Sequence, residues 1–277
     1  MSKDFILKTT LGNELHISAF GLNKIAGSPC IILVHGFKGF KDWGFWPVLG
    51  QFFADNNYFV LSFNFSHNGI GNNLTEFTEL DKFAQNTFTL EISELNELIN
   101  AYSNNYFGHT DNKKIGLLGH SRGGAVSILS SLVNKNINAI ALWSSVAQLD
   151  RYSARQKEKW RKEGVFEVFN SRTKQAMRLN TSLLNDIEKN KNSSLNMEKA
   201  VSEFKKPLLI AHGDQDLTVK IKEAELLYSW ADKSQTEFFK IHGSGHTFDM
   251  HHPDIGSNIM FDSLMNKTLQ FFNNYLS

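Results

Sequence analysis

The feature that most constrains this chain is a repeated alternation between short, continuously apolar runs and longer segments of helical period. The runs fall at 30–34, 58–63, 115–118, 139–143, 208–211 and 237–241. Each is too short for a stable helix, and apolar residues on consecutive positions require cover on both faces. Between them, residues 45–55 place Phe45, Trp46, Leu49, Phe52 and Phe53 on one stripe, and 88–102 do the same with Phe88, Ile92, Leu95, Leu98 and Ile99. Helices are also predicted at 121–134, 219–231 and 259–276. Strand–helix alternation of this kind predicts a mostly parallel sheet with helices on both faces. Two further strands, 5–9 and 14–20, are joined at Leu11-Gly12-Asn13, residues that tolerate a hairpin's dihedrals. They predict an antiparallel edge, for eight strands altogether.

One segment interrupts this rhythm. Residues 148–205 are rich in Lys, Arg, Asn and Glu, carry Trp160, Phe166 and Phe169, and show no evident strand-like run. Nearly sixty residues is too long for a structureless loop. The expectation is an inserted helical cap at 148–205 on a core made of 1–147 and 206–277, with a mobile turn at 190–196. The insertion falls between two sheet strands, on the side where such folds bind ligands.

Composition removes several function classes. A formal net charge of +1 gives no overall field for nucleic acid. No stretch approaches the ~20 apolar residues of a membrane span. Asp4 in MSKDFILKTT breaks any signal-peptide core, so a cytoplasmic protein is expected. Cys30 is the single cysteine, which excludes an intramolecular disulfide, and its apolar run predicts a buried strand residue.

The most informative stretch is Lys114-Ile115-Gly116-Leu117-Leu118-Gly119-His120-Ser121-Arg122-Gly123-Gly124-Ala125. A strand runs into Gly-x-Ser-x-Gly and on into a helix, the context of a nucleophile elbow. A sharp turn holds Ser121 at the head of the sheet, beside a helix N-terminus that favours a developing oxyanion. Serine is a poor nucleophile without a base, and the base needs an orienting acid. Downstream, a strand ends in His212-Gly213-Asp214-Gln215-Asp216, offering two carboxylates. Another ends in His242-Gly243-Ser244-Gly245-His246, offering two histidines.

With these motifs and His35-Gly36-Phe37-Lys38-Gly39, the chain resembles the α/β-hydrolases of the esterase and acyl-peptidase-like branch. The likeness covers nearly everything but the cap, whose size and position resemble the lid of feruloyl or cinnamoyl esterases. The resemblance implies Ser121 as nucleophile, Asp216 as acid in preference to Asp214, and His246 as base in preference to His242. It also implies an oxyanion hole from the backbone amides of Phe37 and Arg122. His35, His120 and His212 are expected to be structural, and His251 and His252 to lie at the surface or the pocket rim.

Other features point less sharply. His67, in a loop after a strand, is placed either to touch substrate or to serve as a plain loop residue. Trp43 and the cap aromatics, Trp160 among them, offer either an acyl pocket or core packing. His242, His246, His251 and His252 match no common zinc spacing, so neither metal nor cofactor is expected. Gly243-Ser244-Gly245 lacks the Lys-Ser/Thr of a phosphate cradle.

The expected activity is hydrolysis of a small-molecule carboxylic ester, short-chain or aromatic in its acyl part, through an acyl-enzyme. A thioester, a small peptide or an acyl amide is the alternative substrate. A catalytically silent binding protein is the alternative class.

Overall fold

A computed structural model describes residues 2–73, 76–253, 256 and 258–276. The first half of the chain forms β1 (Lys3–Lys8), β2 (Glu14–Phe20), β3 (Cys30–Val34), α1 (Trp46–Asp55), β4 (Phe59–Phe63), α2 (Leu80–Gln85) and α3 (Phe88–Ser103). The centre follows as β5 (Ile115–His120), α4 (Arg122–Ser130) and β6 (Ile137–Trp143). Next come α5 (Ala154–Glu163), β7 (Val165–Asn170), β8 (Gln175–Asn180), α6 (Thr181–Asn190) and α7 (Met197–Glu203). The chain closes with β9 (Leu208–Gly213), α8 (Ile221–Trp230), β10 (Thr236–Ile241) and α9 (Ile259–Leu276).

Eight strands form one sheet in the order β1-β2-β4-β3-β5-β6-β9-β10. The pairs β1–β2 and β2–β4 are antiparallel, and the others are parallel. The opening hairpin is therefore the antiparallel edge that its turn chemistry predicts. Both faces of the central strands are buried, as their unbroken apolar runs require. On β3, Cys30, Ile32 and Val34 enter one core while Ile31 and Leu33 enter the other. On β9, Leu208 and Ile210 part in the same way from Leu209 and Ala211. The first core is closed by Leu95 and Leu98 of α3, Ala125 and Val126 of α4, and Leu227 of α8. The second is closed by Leu49 and Phe53 of α1 and Phe261 and Leu264 of α9.

This topology fixes where a ligand can bind. From β3 the chain goes to β4 on one side and then crosses to β5 on the other. The loops after β3 and β5 diverge at that reversal, leaving a crevice at the carboxyl ends of the strands.

The segment between β6 and β9 departs from the expectation of a purely helical insertion. It contains an antiparallel hairpin, β7–β8, registered from Val165↔Asn180 to Asn170↔Gln175. Its strands carry a period-2 signal, because Met177 and Leu179 are buried while Ala176 and Arg178 are exposed. The surrounding charged residues mask that signal in the sequence. Helix α5 starts at a capping box between Ser153 and Gln156 and stops at Gly164, whose φ of 75° suits glycine. The segment is tied to the core by Gln175 Nε2 donating to the Phe77 carbonyl (3.0 Å) and by the Thr89 amide donating to Asp186 (3.0 Å). Among the described residues, no helix is long and apolar enough to cross a membrane.

Glu94 of α3 is buried behind the loop that follows β4. It accepts hydrogen bonds from the Ser66 amide (3.0 Å), the Ser66 hydroxyl and Asn13 Nδ2 (3.3 Å). Burial raises its pKa from 4.5 to about 7, against the Ser66 and Asn13 bonds that favour the ionised form. The folded chain therefore holds this proton more tightly than the unfolded one. The resulting stability is complete below pH 4.5 and is lost as the pH rises through 7. Glu94→Gln should remove this slope. Between pH 5 and pH 8, urea titration should show wild type losing about 2 kcal/mol more than the variant.

Candidate active site

Ser121 joins β5 to α4 with φ 56° and ψ −121°, a region that non-glycine residues rarely occupy. The turn is held on both sides. The Ser121 amide donates to the Trp143 carbonyl of β6 (2.9 Å), and the Ser121 carbonyl accepts from the Gly124 amide (3.1 Å). Two glycines permit the close approach this requires. A Cβ on Gly123 would lie 2.2 Å from the Val34 carbonyl oxygen and 2.5 Å from that of His35. One on Gly36 would lie 2.9 Å from the His120 carbonyl oxygen and 3.0 Å from Ser121 Cβ. The loop after β3 is thereby pressed against the N-terminus of α4. Neither the Phe37 nor the Arg122 amide has an acceptor among the described residues.

His35 shapes that loop. Its Nδ1 donates to the Gly36 carbonyl (3.0 Å), and its Nε2 accepts from the Phe65 amide (3.3 Å). Those opposite roles require a neutral imidazole, and burial lowers its pKa to about 4. His120 is likewise neutral. Burial, and then the nearby His246, lower its pKa to about 3, and its Nε2 donates to the His246 carbonyl at 2.8 Å.

The two downstream loops separate their carboxylates and histidines into two pairs. In the inner pair, Asp216 Oδ2 lies 2.7 Å from His246 Nδ1. Asp216 Oδ1 accepts from the amides of Thr218 and Val219, both at 2.8 Å. Burial alone would raise the Asp216 carboxyl, but the nearby His212 Nε2 (3.4 Å), the His246 hydrogen bond and the Val219 amide hold it well below the usual carboxylate range. His212 braces the same turn by donating from Nε2 to the Val219 carbonyl (2.7 Å). The outer pair is Asp214 and His242, 2.9 Å apart, with the His242 side chain 80% exposed. Asp214 also accepts from the Gly243 amide, so it serves the turn. Neither residue of the outer pair reaches the crevice.

Ser121, Arg122, Phe37, Trp43 and His246 line one cavity of about 500 Å³ at the carboxyl ends of β3 and β5. Asp216 stands behind His246, out of the cavity. Phe88, Val146, Leu149 and Tyr152 supply apolar wall, and Asn170, Ser171 and Arg172 reach in from the β7–β8 hairpin. That hairpin escapes the sequence reading, so its tip residues do too.

Two other expectations need correction. Trp160 does not line the cavity. It is fully buried, donates from Nε1 to the Leu179 carbonyl (2.9 Å), and packs on Tyr152 and Phe166 within the segment between β6 and β9. His67 does not line it either, and its Nδ1 lies 2.7 Å from the Ser66 hydroxyl. Among the described residues, no cluster of His, Cys, Asp and Glu could hold a metal ion.

The sheet order, the strand-to-helix turn at Ser121 and the crevice define an α/β hydrolase. Solved structures of the same fold span this chain almost end to end. Est1E from Butyrivibrio proteoclasticus, bound to ferulic acid, matches with a TM-score of 0.71 at 18% identity, covering 98% of each chain. DcsB, in complex with its substrate analogue, matches with a TM-score of 0.77 at 14% identity, covering 99% of each. The esterase domain of a Rhodothermus marinus protein matches with a TM-score of 0.68 at 16% identity over both full lengths. No curated protein matches the sequence. The BD-FAE family model, an α/β-hydrolase esterase domain, matches residues 79–231, more than half of the chain, and the protein belongs to that family.

The elbow's packing makes a direct prediction. Gly123→Ala would drive a methyl group into two backbone carbonyls that cannot move independently of β3. It should cost about 3 kcal/mol or more in urea unfolding, or prevent folding.

Proposed function

We propose that this protein is a serine hydrolase of carboxylic esters, working through Ser121, His246 and Asp216. The observation that carries this reading is the 2.7 Å contact between His246 Nδ1 and Asp216 Oδ2, beside a cavity that His246 and Ser121 both line. With Nδ1–H held by the carboxylate, the Nε2 lone pair of His246 is the free base. It takes the Ser121 proton as Oγ attacks the substrate carbonyl. Charge then develops on the carbonyl oxygen, where the unengaged amides of Phe37 and Arg122 serve as donors, each worth about 3 kcal/mol. Collapse expels the alcohol, which receives the proton from His246 and leaves an acyl-enzyme. Water, deprotonated by His246, attacks that ester, and the acid departs as Oγ recovers its proton.

Residues 148–205 act in this reading as the cap on a core made of 1–147 and 206–277. The mixed cavity favours a small ester with a short or aromatic acyl part. The ferulic acid bound to Est1E supports the aromatic choice. Trp43 is the residue expected to stack on such a ring, because its side chain flanks the cavity.

Ser121→Ala should lower turnover of p-nitrophenyl acetate by at least about 10³-fold with an unchanged circular dichroism spectrum. Retention of wild-type rates would remove Ser121 from the mechanism. Asp216→Asn removes the charge that orients and stabilises His246 while keeping the side chain's shape. It should lower kcat by about 10⁴-fold. Asp214→Asn, by contrast, touches only the outer pair and should leave kcat within about twofold of wild type.

A further inference from the structure

Among the described residues, four cations line the cavity, Lys38, Arg122, Arg151 and Arg172, and no Asp or Glu lines it. Two of the four are neutralised within the fold. Arg122 Nε lies 2.7 Å from Glu91 Oε2, both groups being buried, and Arg151 pairs with Glu223 at 2.7 Å. The other two have no carboxylate within ion-pair distance among the described residues. Lys38 Nζ donates only to the Phe169 carbonyl, at 3.2 Å. The Arg172 guanidinium lies over the rings of Phe40 (5.4 Å) and Phe77 (5.6 Å), which attract a cation through their faces but carry no net charge.

These two charges come from different parts of the molecule. Lys38 follows the proposed oxyanion donor Phe37, with φ 57°. Arg172 sits in the four-residue loop of the β7–β8 hairpin, the element unforeseen in the sequence. Their proton affinities register the encounter. Burial, and then Arg172, lower the Lys38 pKa, and burial lowers that of Arg172. Two partly desolvated like charges facing one cavity oppose folding unless something bound there offsets them.

We propose that Lys38 and Arg172 form an anion subsite, and that the substrate is an ester bearing a free carboxylate, such as the half-ester of a short dicarboxylic acid. The guanidinium presents parallel N–H donors that match a carboxylate's two oxygens, and the ammonium adds a point charge beside the oxyanion loop. The apolar wall of Phe88, Val146 and Leu149 would take the carbon chain between carboxylate and ester. This assignment of substrate class rests on the esterase reading above, but its test does not depend on turnover.

The probes are monomethyl glutarate and its neutral counterpart dimethyl glutarate, titrated calorimetrically into the Ser121→Ala protein. The half-ester should bind about tenfold more tightly than the diester, and the advantage should shrink as sodium chloride is raised. Adding Lys38→Gln and Arg172→Gln together should abolish the advantage, and restoring charge with Arg172→Lys on the Lys38 background should recover part of it. Equal affinities for the two ligands, including no binding of either, would overturn the proposal. So would an advantage that survives in the double variant. Failure of the esterase reading would instead appear as wild-type protein inert towards p-nitrophenyl acetate, whatever the calorimetry gives.

Discussion

The contact on which the rest of the site depends is the approach of the first turn of α4 to the end of β3. Gly123 faces the Val34 and His35 carbonyls with no room for a methyl group, and Gly36 faces Ser121 almost as closely. Only at that separation do the loop after β3 and the amide of Arg122 border one crevice. The same approach forces Ser121 into a positive φ, which is stabilised by its bond to the Trp143 carbonyl and by the parallel strands on either side. Such strain persists only where the surrounding structure over-determines it. Here that structure is the doubly buried centre of the sheet.

From this contact the polar groups arrange themselves in a hierarchy. His35, His120 and His212 are each tied to backbone groups, with pKa values lowered by burial in the first two cases. The first two fix their loops without competing for protons near neutrality, and His212 holds the turn that carries Asp216. Among the described residues, His246 is the histidine that combines a carboxylate partner with a place on the cavity wall. The Asp214–His242 pair resembles it chemically but lies at the surface. Burial and direction separate the two pairs, not residue type.

Much of this was legible in the sequence because it is local or periodic. The apolar runs named the sheet strands within one or two residues at most ends, and Leu11-Gly12-Asn13 marked the hairpin. Gly-x-Ser-x-Gly between strand and helix located the elbow. What escaped was non-local. The β7–β8 hairpin buries only alternate residues amid charged ones, so its period is masked in the sequence. Trp160 could pack either into the cavity or beneath it, and the choice is made by Leu179, nineteen residues away, whose carbonyl takes its indole N–H. His67 is the local exception, turned aside to the adjacent Ser66 hydroxyl. Arg172 could not be placed at all without the hairpin that carries it.

The central claim is that Ser121 is a nucleophile activated by His246. The most direct measurement is mass spectrometry of the intact protein and its peptides after exposure to a fluorophosphonate. The account predicts one adduct, on the peptide carrying Ser121, with labelling slowed sharply in His246→Ala and absent in Ser121→Ala. An adduct on another residue, or undiminished labelling without His246, would contradict it.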